Sequence, residues 1–283
     1  MLHFIHIRKT GGTAIKHALA DAGLGVWNEE RARRGAATPH GPIVLHRHDF
    51  RLSDVPHGEH AFFCVRDPIA RFASRFQSRL AQGLPGHFYP WNDAERQIFE
   101  RYPTAQSLAA GLAAESLEER EHATWAMINL RHQTHMRRWL GTPGHLRVHQ
   151  RKVVYIARQE TLDRDFEQLK RILELPDEVR LPADERAHRS GAAPAGFDEI
   201  ALRGLRSWYD VDFELLRYCD SLRAWRGWGV PAPGSPRDQL ELALRRLRGI
   251  GAVRPTLLLA RNRVGRARRR LGLSQSSQRR ERR

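Results

Sequence analysis

Cysteine is scarce in this sequence, and long apolar runs are missing from it. The 283 residues include two cysteines, Cys64 and Cys219, which lie far apart in the chain. A disulfide framework is therefore not expected, and a reducing compartment is. No stretch of the sequence approaches the roughly 20 apolar residues that cross a bilayer. The first residues also lack an apolar core followed by a cleavage site, so we interpret them as a first strand and not as a secretion signal.

Lysine is nearly absent as well. Four lysines, Lys9, Lys16, Lys152 and Lys170, stand against 44 arginines. Such a bias is typical of a GC-rich genome. Where lysine is retained among so many arginines, its compact point charge draws attention, and Lys9 does so first because of the loop in which it lies.

Positive charge is abundant but unevenly distributed. The net charge is +16, and residues 251–283 contain eleven arginines against one acid, so ten of the sixteen charges lie there and six in residues 1–250. The body of the chain is mildly basic, which suits an anionic ligand. A nucleic-acid-binding protein is an alternative based on the total charge. The body lacks a basic stripe with interleaved aromatic residues, so no specific nucleic acid is expected.

The order of the predicted elements indicates the fold class. Apolar, β-rich runs predict strands at 4–7, 43–45, 61–65 and 153–157. Helices are predicted at 13–22, from 68 onward, at 104–113, 116–139 and 162–173, with loops at 28–42 and 83–103. This alternation predicts an α/β fold, P-loop-like and three-layered, with a mostly parallel central sheet flanked by helices. Residues 1–229 form the predicted domain, and 230–283 a linker, a short helix and an arginine-rich tail.

A glycine-containing loop, residues 8–13, separates the first strand from the first helix and reads Arg-Lys-Thr-Gly-Gly-Thr. The glycines let the backbone approach a ligand and turn its N–H groups inward. The helix N-terminus adds partial positive charge, Lys9 adds a full charge, and the hydroxyls of Thr10 and Thr13 can donate to oxygen. These groups predict a cradle for phosphate or sulfate. The alternative is a glycine turn without a ligand.

A second basic motif follows the strand at 61–65. Residues 65–76 read Val-Arg-Asp-Pro-Ile-Ala-Arg-Phe-Ala-Ser-Arg-Phe. Arg66 lies at the carboxyl end of the strand, where open α/β sheets bind ligands, and a helix from residue 68 places Arg71 and Ser74 on one face. A guanidinium with a hydroxyl makes a receptor for a second phosphate. The alternative is a solvated basic helix, whose outward arginines would be Arg71, Arg75 and Arg79.

Together the two motifs resemble those of sulfotransferases that use 3′-phosphoadenosine 5′-phosphosulfate (PAPS). Lys-Thr-Gly-Gly-Thr resembles that family's 5′-phosphosulfate loop, and Arg-Asp-Pro-x-x-Arg-x-x-Ser resembles its 3′-phosphate motif. The resemblance implies that Arg66 and Ser74 hold the 3′-phosphate. It implies that the 5′-phosphosulfate is held by Arg8, Lys9, Thr10, Gly11, Gly12, Thr13 and Ala14. Two residues depart from the pattern: Arg8 stands where proline is common, and Ala14 replaces a serine, which removes one hydroxyl.

The similarity is closest to the carbohydrate branch that includes the heparan sulfate 2-O-sulfotransferases and their bacterial relatives. It covers residues 3–80 well and extends loosely to 190. It implies a bacterial enzyme that moves a sulfuryl group from PAPS to a hydroxyl acceptor, expected to be a glycan. The co-product would be 3′,5′-adenosine bisphosphate, and no metal is required. The animal members carry a membrane anchor ahead of the first strand, and none is expected here.

Sulfuryl transfer to an alcohol also needs a base. His46-Arg47-His48 follows the second strand, and a His-x-His segment occupies this place in the 2-O branch. The resemblance makes His48 the candidate general base and His46 a helper or acceptor contact; histidine suits the task because its pKa lies near operating pH. Lys9 is the candidate for the bridging and leaving oxygens. With 15 histidines in the chain, a chance His-x-His is the alternative.

Some residues have weaker assignments. Arg189 and Ser190 lie in a late basic segment that resembles the loop closing over the nucleotide in bacterial relatives, so Arg189 is expected to touch PAPS; a solvated loop is the alternative. A metal site is a further possibility, although the spacing is unfamiliar; its ligands would come from His46, His48, His57, Glu59 and His60. Core positions are predicted for Cys64, Trp125, Met127 and Trp139.

The main alternative function is a P-loop-type kinase or NTPase. Such a protein should show Gly-Lys-Ser/Thr at the end of its loop and a strand-terminal Asp for Mg²⁺. Here Lys9 precedes the glycines, and Asp67 stands between Arg66 and Pro68. The sequence therefore favours the sulfotransferase.

The arginine-rich end has two interpretations. Residues 256–273 mix leucines with arginines, and a helix there would lie on an anionic membrane or bind a polyanionic glycan. A disordered solubilising tail is the favoured alternative. The expected location is cytoplasmic, with attachment to the inner membrane surface as the extension that an active tail would add.

Overall fold

A mostly parallel sheet organises the molecule. The structure is a computed structural model, and it describes residues 1–27, 29–32, 37–84, 88–131, 134–183 and 196–228. The strands are β1 (Leu2–Ile5), β2 (Gly25–Val26), β3 (Ala37–Thr38), β4 (Gly41–Leu45), β5 (His60–Val65) and β6 (Val153–Arg158). Their order is β2-β4-β1-β5-β6 with every pair parallel, while β3 pairs antiparallel with β4.

Helices connect and flank these strands. They are α1 (Gly12–Asp21), α2 (Glu29–Ala32), α3 (Pro68–Leu80), α4 (Asp93–Arg101), α5 (Ala105–Gly111), α6 (Leu117–Asn129), α7 (Arg137–Leu140), α8 (Pro143–His149), α9 (Leu162–Leu173), α10 (Glu199–Trp208) and α11 (Asp210–Arg226). The predicted fold class, α/β with a mostly parallel central sheet flanked by helices, is confirmed. In the part of the chain that the structure describes, no helix is both long and apolar enough to cross a membrane.

The four predicted strands are present, and one is displaced. β1 lies two residues before the predicted 4–7, because the chain turns out of the sheet after Ile5, whose carbonyl oxygen accepts from the Ile7 N–H at 3.1 Å. β1 lies in the middle of the sheet, a position that suits its apolar sequence. Leu2, Phe4 and Ile5 are all fully buried there. Each such side chain contributes about 1.5–3 kcal/mol when removed from water.

Three predictions of local structure are wrong. The predicted loop 28–42 contains α2, β3 and the start of β4. The predicted loop 83–103 contains α4, which a capping box begins: Asn92 Oδ1 accepts from the Glu95 N–H at 2.8 Å, and the Glu95 side chain accepts in return from the Asn92 N–H. The predicted helix 116–139 ends as α6 at Asn129, because Leu130 adopts an extended ψ of 116°.

Two apolar clusters form the core. One surrounds the sheet and includes Phe62, Phe63 and Trp139, with the thiols of Cys64 and Cys219 buried inside it. The other cluster packs α3 against α4, α5, α6 and α10, with Met127 at its centre and Trp125 at its margin. The core positions predicted from the sequence are confirmed. The division predicted at residue 230 stays a prediction, since residues beyond 228 lie outside the described part.

Candidate active site

The predicted motifs meet at one edge of the sheet. β4, β1 and β5 are neighbours and run parallel, so their carboxyl ends lie side by side. The segments that follow these strands hold His46 and His48, the loop of residues 8–13, and Arg66, respectively. Arg66 Nη1 donates to the carbonyl oxygen of Lys9 at 3.4 Å. The two motifs, 57 residues apart in sequence, are therefore in contact.

The loop of residues 8–13 has the backbone of an anion cradle. Lys9 adopts a φ of 62° and Gly11 a φ of 84°, the left-handed region, so the loop turns sharply before α1. α1 begins at Gly12 without a side-chain cap and has no acidic residue in its first turn. Its N-terminus thus keeps its partial positive charge. A Cβ on Gly12 would lie 2.6 Å from His6 Cδ2, so the close approach requires glycine.

One detail of the predicted cradle is wrong. The Thr10 side chain is buried, and its hydroxyl donates to the carbonyl oxygen of Ile7 at 2.9 Å. The hydroxyl therefore holds the loop together and is not free to donate to a ligand. Thr13 stays partly exposed, and Ala14 is buried in the first turn of α1.

Lys9 is the centre of a cluster of cations. Burial, together with the charges of Arg75, Arg66, Arg79 and Arg8, lowers the pKa of its ammonium to about 8. The cluster repels itself in the absence of an anion. Buried like charges gathered at strand ends and a helix N-terminus form a receptor for negative charge.

His48 is held with one ring nitrogen available as a proton acceptor. Its Nδ1 lies 2.9 Å from the carbonyl oxygen of His6, which can only accept, so Nδ1 carries the proton. Trp139 Nε1 donates to the His48 carbonyl oxygen at 2.8 Å and fixes its backbone. Burial lowers the pKa of His48 to about 4, with Arg8, Lys16 and Arg75 contributing. The ring is therefore neutral near pH 7, with Nε2 unprotonated, and the expectation that its pKa lies near operating pH is not met.

His46 belongs to a chain of three polar side chains. His3 Nε2 lies 2.5 Å from Glu59 Oε2, and His3 Nδ1 lies 2.8 Å from His46 Nε2. Because the carboxylate only accepts, His3 Nε2 donates to it, and His3 Nδ1 shares the remaining hydrogen bond with His46 Nε2. Phe50 stacks on the His46 ring with centroids 3.5 Å apart, and burial lowers the pKa of His46 to about 4.

Two of these residues, His3 and His46, also bear on the metal alternative. Among the described residues, His3, Glu29 and His46 can bring one ligand atom each within 4.8 Å of one another. The facing nitrogens of the two histidines are already joined to each other, and the second nitrogen of His3 to Glu59. Among the described residues, the metal set predicted from residues 46–60 does not bring three ligand atoms together.

A cavity of about 760 Å³ opens beside His48. That volume suits a small ligand or a sugar unit. Its wall is cationic and aromatic, with one acid, Asp49. The lining cations are Arg8, Lys16, Arg47 and Arg138, and the aromatic rings are Trp27 and Trp139. Lys16 Nζ lies 4.8 Å from the centre of the Trp27 ring. His46 lines a smaller cavity of about 320 Å³ that shares Trp27, Arg47 and Asp49.

The arginines of α3 are not solvated, so that alternative is wrong. Arg71, Arg75 and Arg79 are all buried. Arg71 Nη2 donates to Asp212 Oδ2 and to the Thr134 carbonyl oxygen, each at 2.8 Å. Arg71 therefore ties α3 to α11 through Nη2, while its Nε and Nη1 have no hydrogen-bond partner among the described residues. Arg66 is half-buried, its Nε has no hydrogen-bond partner among the described residues, and Ser74 is partly exposed.

Asp67 has a structural role that bears on the kinase alternative. Its Oδ1 accepts from the N–H groups of Ile69 and Ala70, each at 2.9 Å, and caps α3 ahead of Pro68. Its own N–H donates to Glu160 Oε1 at 2.7 Å. The carboxylate is thus a helix cap and not a free strand-terminal ligand for Mg²⁺.

Some site residues were missed by the sequence, and some predicted ones are not described. Trp27, Lys16, Thr134 and Arg138 line the cavity but come from four separate segments with no shared motif. Only the rarity of lysine marked one of them. The predicted nucleotide contact Arg189, with Ser190, lies outside the described residues, so its role stays a prediction.

Comparison with known proteins gives one match. A family model described as Sulfotransferase family matches residues 1–219. This range includes the loop of residues 8–13, both histidines after β4, and α3. No curated protein matches the chain.

Proposed function

The chain belongs to the sulfotransferase family, and on that premise we propose that it transfers a sulfuryl group from PAPS to a hydroxyl of a carbohydrate acceptor, with His48 as general base. The observation that carries the proposal is the contact between Arg66 and the Lys9 carbonyl oxygen. It brings a candidate 5′-phosphosulfate loop and a candidate 3′-phosphate motif to one edge of the sheet, as a single bisphosphate nucleotide requires.

The residues present fit the donor. The 5′-phosphosulfate would be held by Lys9, by the backbone of residues 10–13 and by the uncapped N-terminus of α1. Arg66 and Ser74 would hold the 3′-phosphate, and the unpartnered Nε of Arg66 supports this. Arg8, which departs from the family's usual proline, lines the cavity and adds a charge beside the loop.

PAPS, when bound, supplies a sulfuryl group on a phosphate leaving group. His48 Nε2 takes the proton of the acceptor hydroxyl, and the His6 carbonyl oxygen holds the ring in the required tautomer. Lys9 donates to the oxygen on which negative charge develops as the S–O bond breaks. His46, oriented through His3 and Glu59, is a helper that contacts the acceptor. No metal takes part in the proposal.

The cavity beside His48 supports a carbohydrate acceptor. Trp27 offers an apolar face for a sugar ring, and four surrounding cations would favour an acidic sugar. A specific likeness to the heparan sulfate 2-O-sulfotransferase branch rests on the His-x-His segment alone. A bacterial source and a cytoplasmic location are part of the same proposal, as is binding of anionic membrane or glycan by the arginine-rich end.

Calorimetry with 3′,5′-adenosine bisphosphate, ATP and ADP tests the donor assignment. We expect the bisphosphate to bind tightly and the other two nucleotides weakly, because neither of them carries a 3′-phosphate for Arg66. Tight binding of ATP without the bisphosphate would instead favour a kinase, which the family match does not.

The general base is tested by His48→Ala. We expect bisphosphate affinity to stay within about threefold of the wild type while turnover falls by about 10²–10⁴, the usual contribution of a general base. His17→Ala, on α1, is the matched control and should leave both quantities unchanged. Wild-type turnover in His48→Ala would remove His48 from the mechanism.

A further inference from the structure

Arg75 is a buried guanidinium that lacks a partner in the described part of the chain. Its side chain is 1% exposed. Nε, Nη1 and Nη2 all have no hydrogen-bond partner among the described residues. An unpaired buried charge is costly, and proteins retain one where a ligand or another group completes it.

The two arginines on either side of it along α3 set the contrast. Arg71, one turn before, pairs with the buried Asp212. Arg79, one turn after, forms a two-pronged pair with Glu95, with Nε to Oε1 and Nη2 to Oε2 both at 2.7 Å. Three arginines spaced four residues apart are thus buried by one helix, and the structure supplies a carboxylate to the first and the third. For Arg75, the middle one, no carboxylate among the described residues forms such a pair.

The neighbours of Arg75 connect it to the candidate active site. Arg71, its neighbour on α3, donates to the carbonyl oxygen of Thr134, and Thr134 lines the cavity that also contains His48. Among neighbouring charges, that of Arg75 has the largest effect in lowering the pKa of Lys9, and it also lowers the pKa of His48. Arg75 also follows Ser74 directly on α3, the helix that begins two residues after Arg66, so it lies beside the proposed donor contacts.

We propose that Arg75 binds the sulfuryl oxygens of the donor. This rests on the proposed function. A guanidinium presents several N–H donors in a plane, which suits a group with three equivalent anionic oxygens. The 3′-phosphate has its own receptor in Arg66 and Ser74, and the proton of the acceptor has His48. Lys9 is assigned to the bridging and leaving oxygens, which leaves the terminal oxygens of the transferred group without an assigned cation.

The test compares two ligands that differ by the sulfuryl group. Affinities for PAPS and for 3′,5′-adenosine bisphosphate are measured by calorimetry without acceptor, for the wild type, Arg75→Met and Arg75→Lys. For Arg75→Met we expect PAPS affinity to fall by about ten- to a hundredfold, the size of a lost charge-assisted hydrogen bond, and bisphosphate affinity to change by less than about threefold. Arg75→Lys should regain part of the PAPS affinity.

Thermal unfolding of the ligand-free protein separates ligand binding from a structural role. Arg75→Met removes a buried charge without a partner and keeps a stem of similar length, so Tm should not fall. Arg79→Met is the matched control: it removes the two-pronged guanidinium partner of the buried Glu95 and should lower Tm. A fall in Tm for Arg75→Met as large as that for Arg79→Met would show that a protein group already pairs Arg75 and would overturn the proposal.

The remaining outcomes are equally decisive. Equal losses for PAPS and the bisphosphate in Arg75→Met would assign Arg75 to a phosphate and refute a sulfuryl contact. Unchanged affinities for both would remove Arg75 from the donor site. If the wild-type protein bound neither nucleotide, the proposed function itself would fail, which is a result distinct from a failure at Arg75.

Discussion

At the scale of single residues, the site combines groups whose protonation is set by burial. Lys9 and His48 both have lowered pKa values, for the same first reason. The lowered pKa has a different consequence for each group. His48 is kept neutral and able to accept a proton, whereas Lys9 begins to lose its charge at a pH not far above neutral. Under the proposed function, the pair would therefore act at neutral pH and have an alkaline limit.

That limit gives a testable prediction for Lys9. Since an anion binds the protonated ammonium, bisphosphate affinity should be constant up to the Lys9 pKa of about 8 and then fall by up to about tenfold for each further pH unit. Calorimetry at a series of pH values from neutral to strongly alkaline measures this fall in affinity. Lys9→Arg, which stays charged throughout, is the control and should show no such fall; an identical fall in that variant would assign the titration elsewhere.

Residue roles differ in how far the sequence could predict them. Lys9, Arg66 and His48 stand in motifs, and the structure brings the motifs of Lys9 and Arg66 into contact. The burial of Arg75 was not predictable, because arginine on a helix usually faces water and only the packing of α3 against the rest of the fold reverses this. The Thr10 hydroxyl was misassigned because its partner is a backbone carbonyl, which no side-chain pattern reveals.

At the scale of elements, the length of a strand decided whether the sequence could predict it. β5 and β6, with six residues each, were found, whereas β2 and β3 have two residues and leave no periodic signal. α4 was missed although its capping box, Asn92 with Glu95, is readable in sequence. The cavity was not predictable, since its lining comes from separate segments joined only by tertiary packing.

Packing between α5 and α10 supplies a prediction at this scale. A Cβ on Gly204 of α10 would lie 2.4 Å from the Ala109 carbonyl oxygen, a backbone atom that cannot rotate away. Gly204→Ala should therefore lower the free energy of unfolding by about 2 kcal/mol or more, as overpacking does. Gly144→Ala in α8 is the control, because its nearest neighbour would be Thr142 Oγ1 at 3.7 Å. Denaturant unfolding measures both, and equal stabilities would contradict the close contact.

At the scale of the whole molecule, charge divides the chain. Ten of the sixteen net positive charges lie in residues 251–283, while the predicted donor contacts, Arg189 apart, lie within residues 8–74. Donor binding and attraction to polyanions are therefore expected to be separable properties. The fold class was predictable because strands alternate with helices; the role of the tail was not, because charge alone does not identify a partner.

A truncation after residue 228 tests this separation. Bisphosphate affinity should stay within about threefold of the full chain, whereas binding to a sulfated polysaccharide should weaken and lose most of its salt dependence as the tail's cations are removed. Titration of both proteins at two salt concentrations measures the difference. Loss of bisphosphate binding on truncation would show that the tail contributes to the donor site.

The hydrogen bond from Arg66 to the Lys9 carbonyl has a further consequence under the proposed function. The Arg66 side chain, assigned to the 3′-phosphate, also holds the loop assigned to the 5′-phosphosulfate. The distance between the two phosphate sites would therefore be fixed. A regioisomer with its phosphate on the 2′ oxygen would then fit neither end well. Discrimination between isomers would follow from the rigidity of one strand pair, without any group dedicated to rejecting the wrong one.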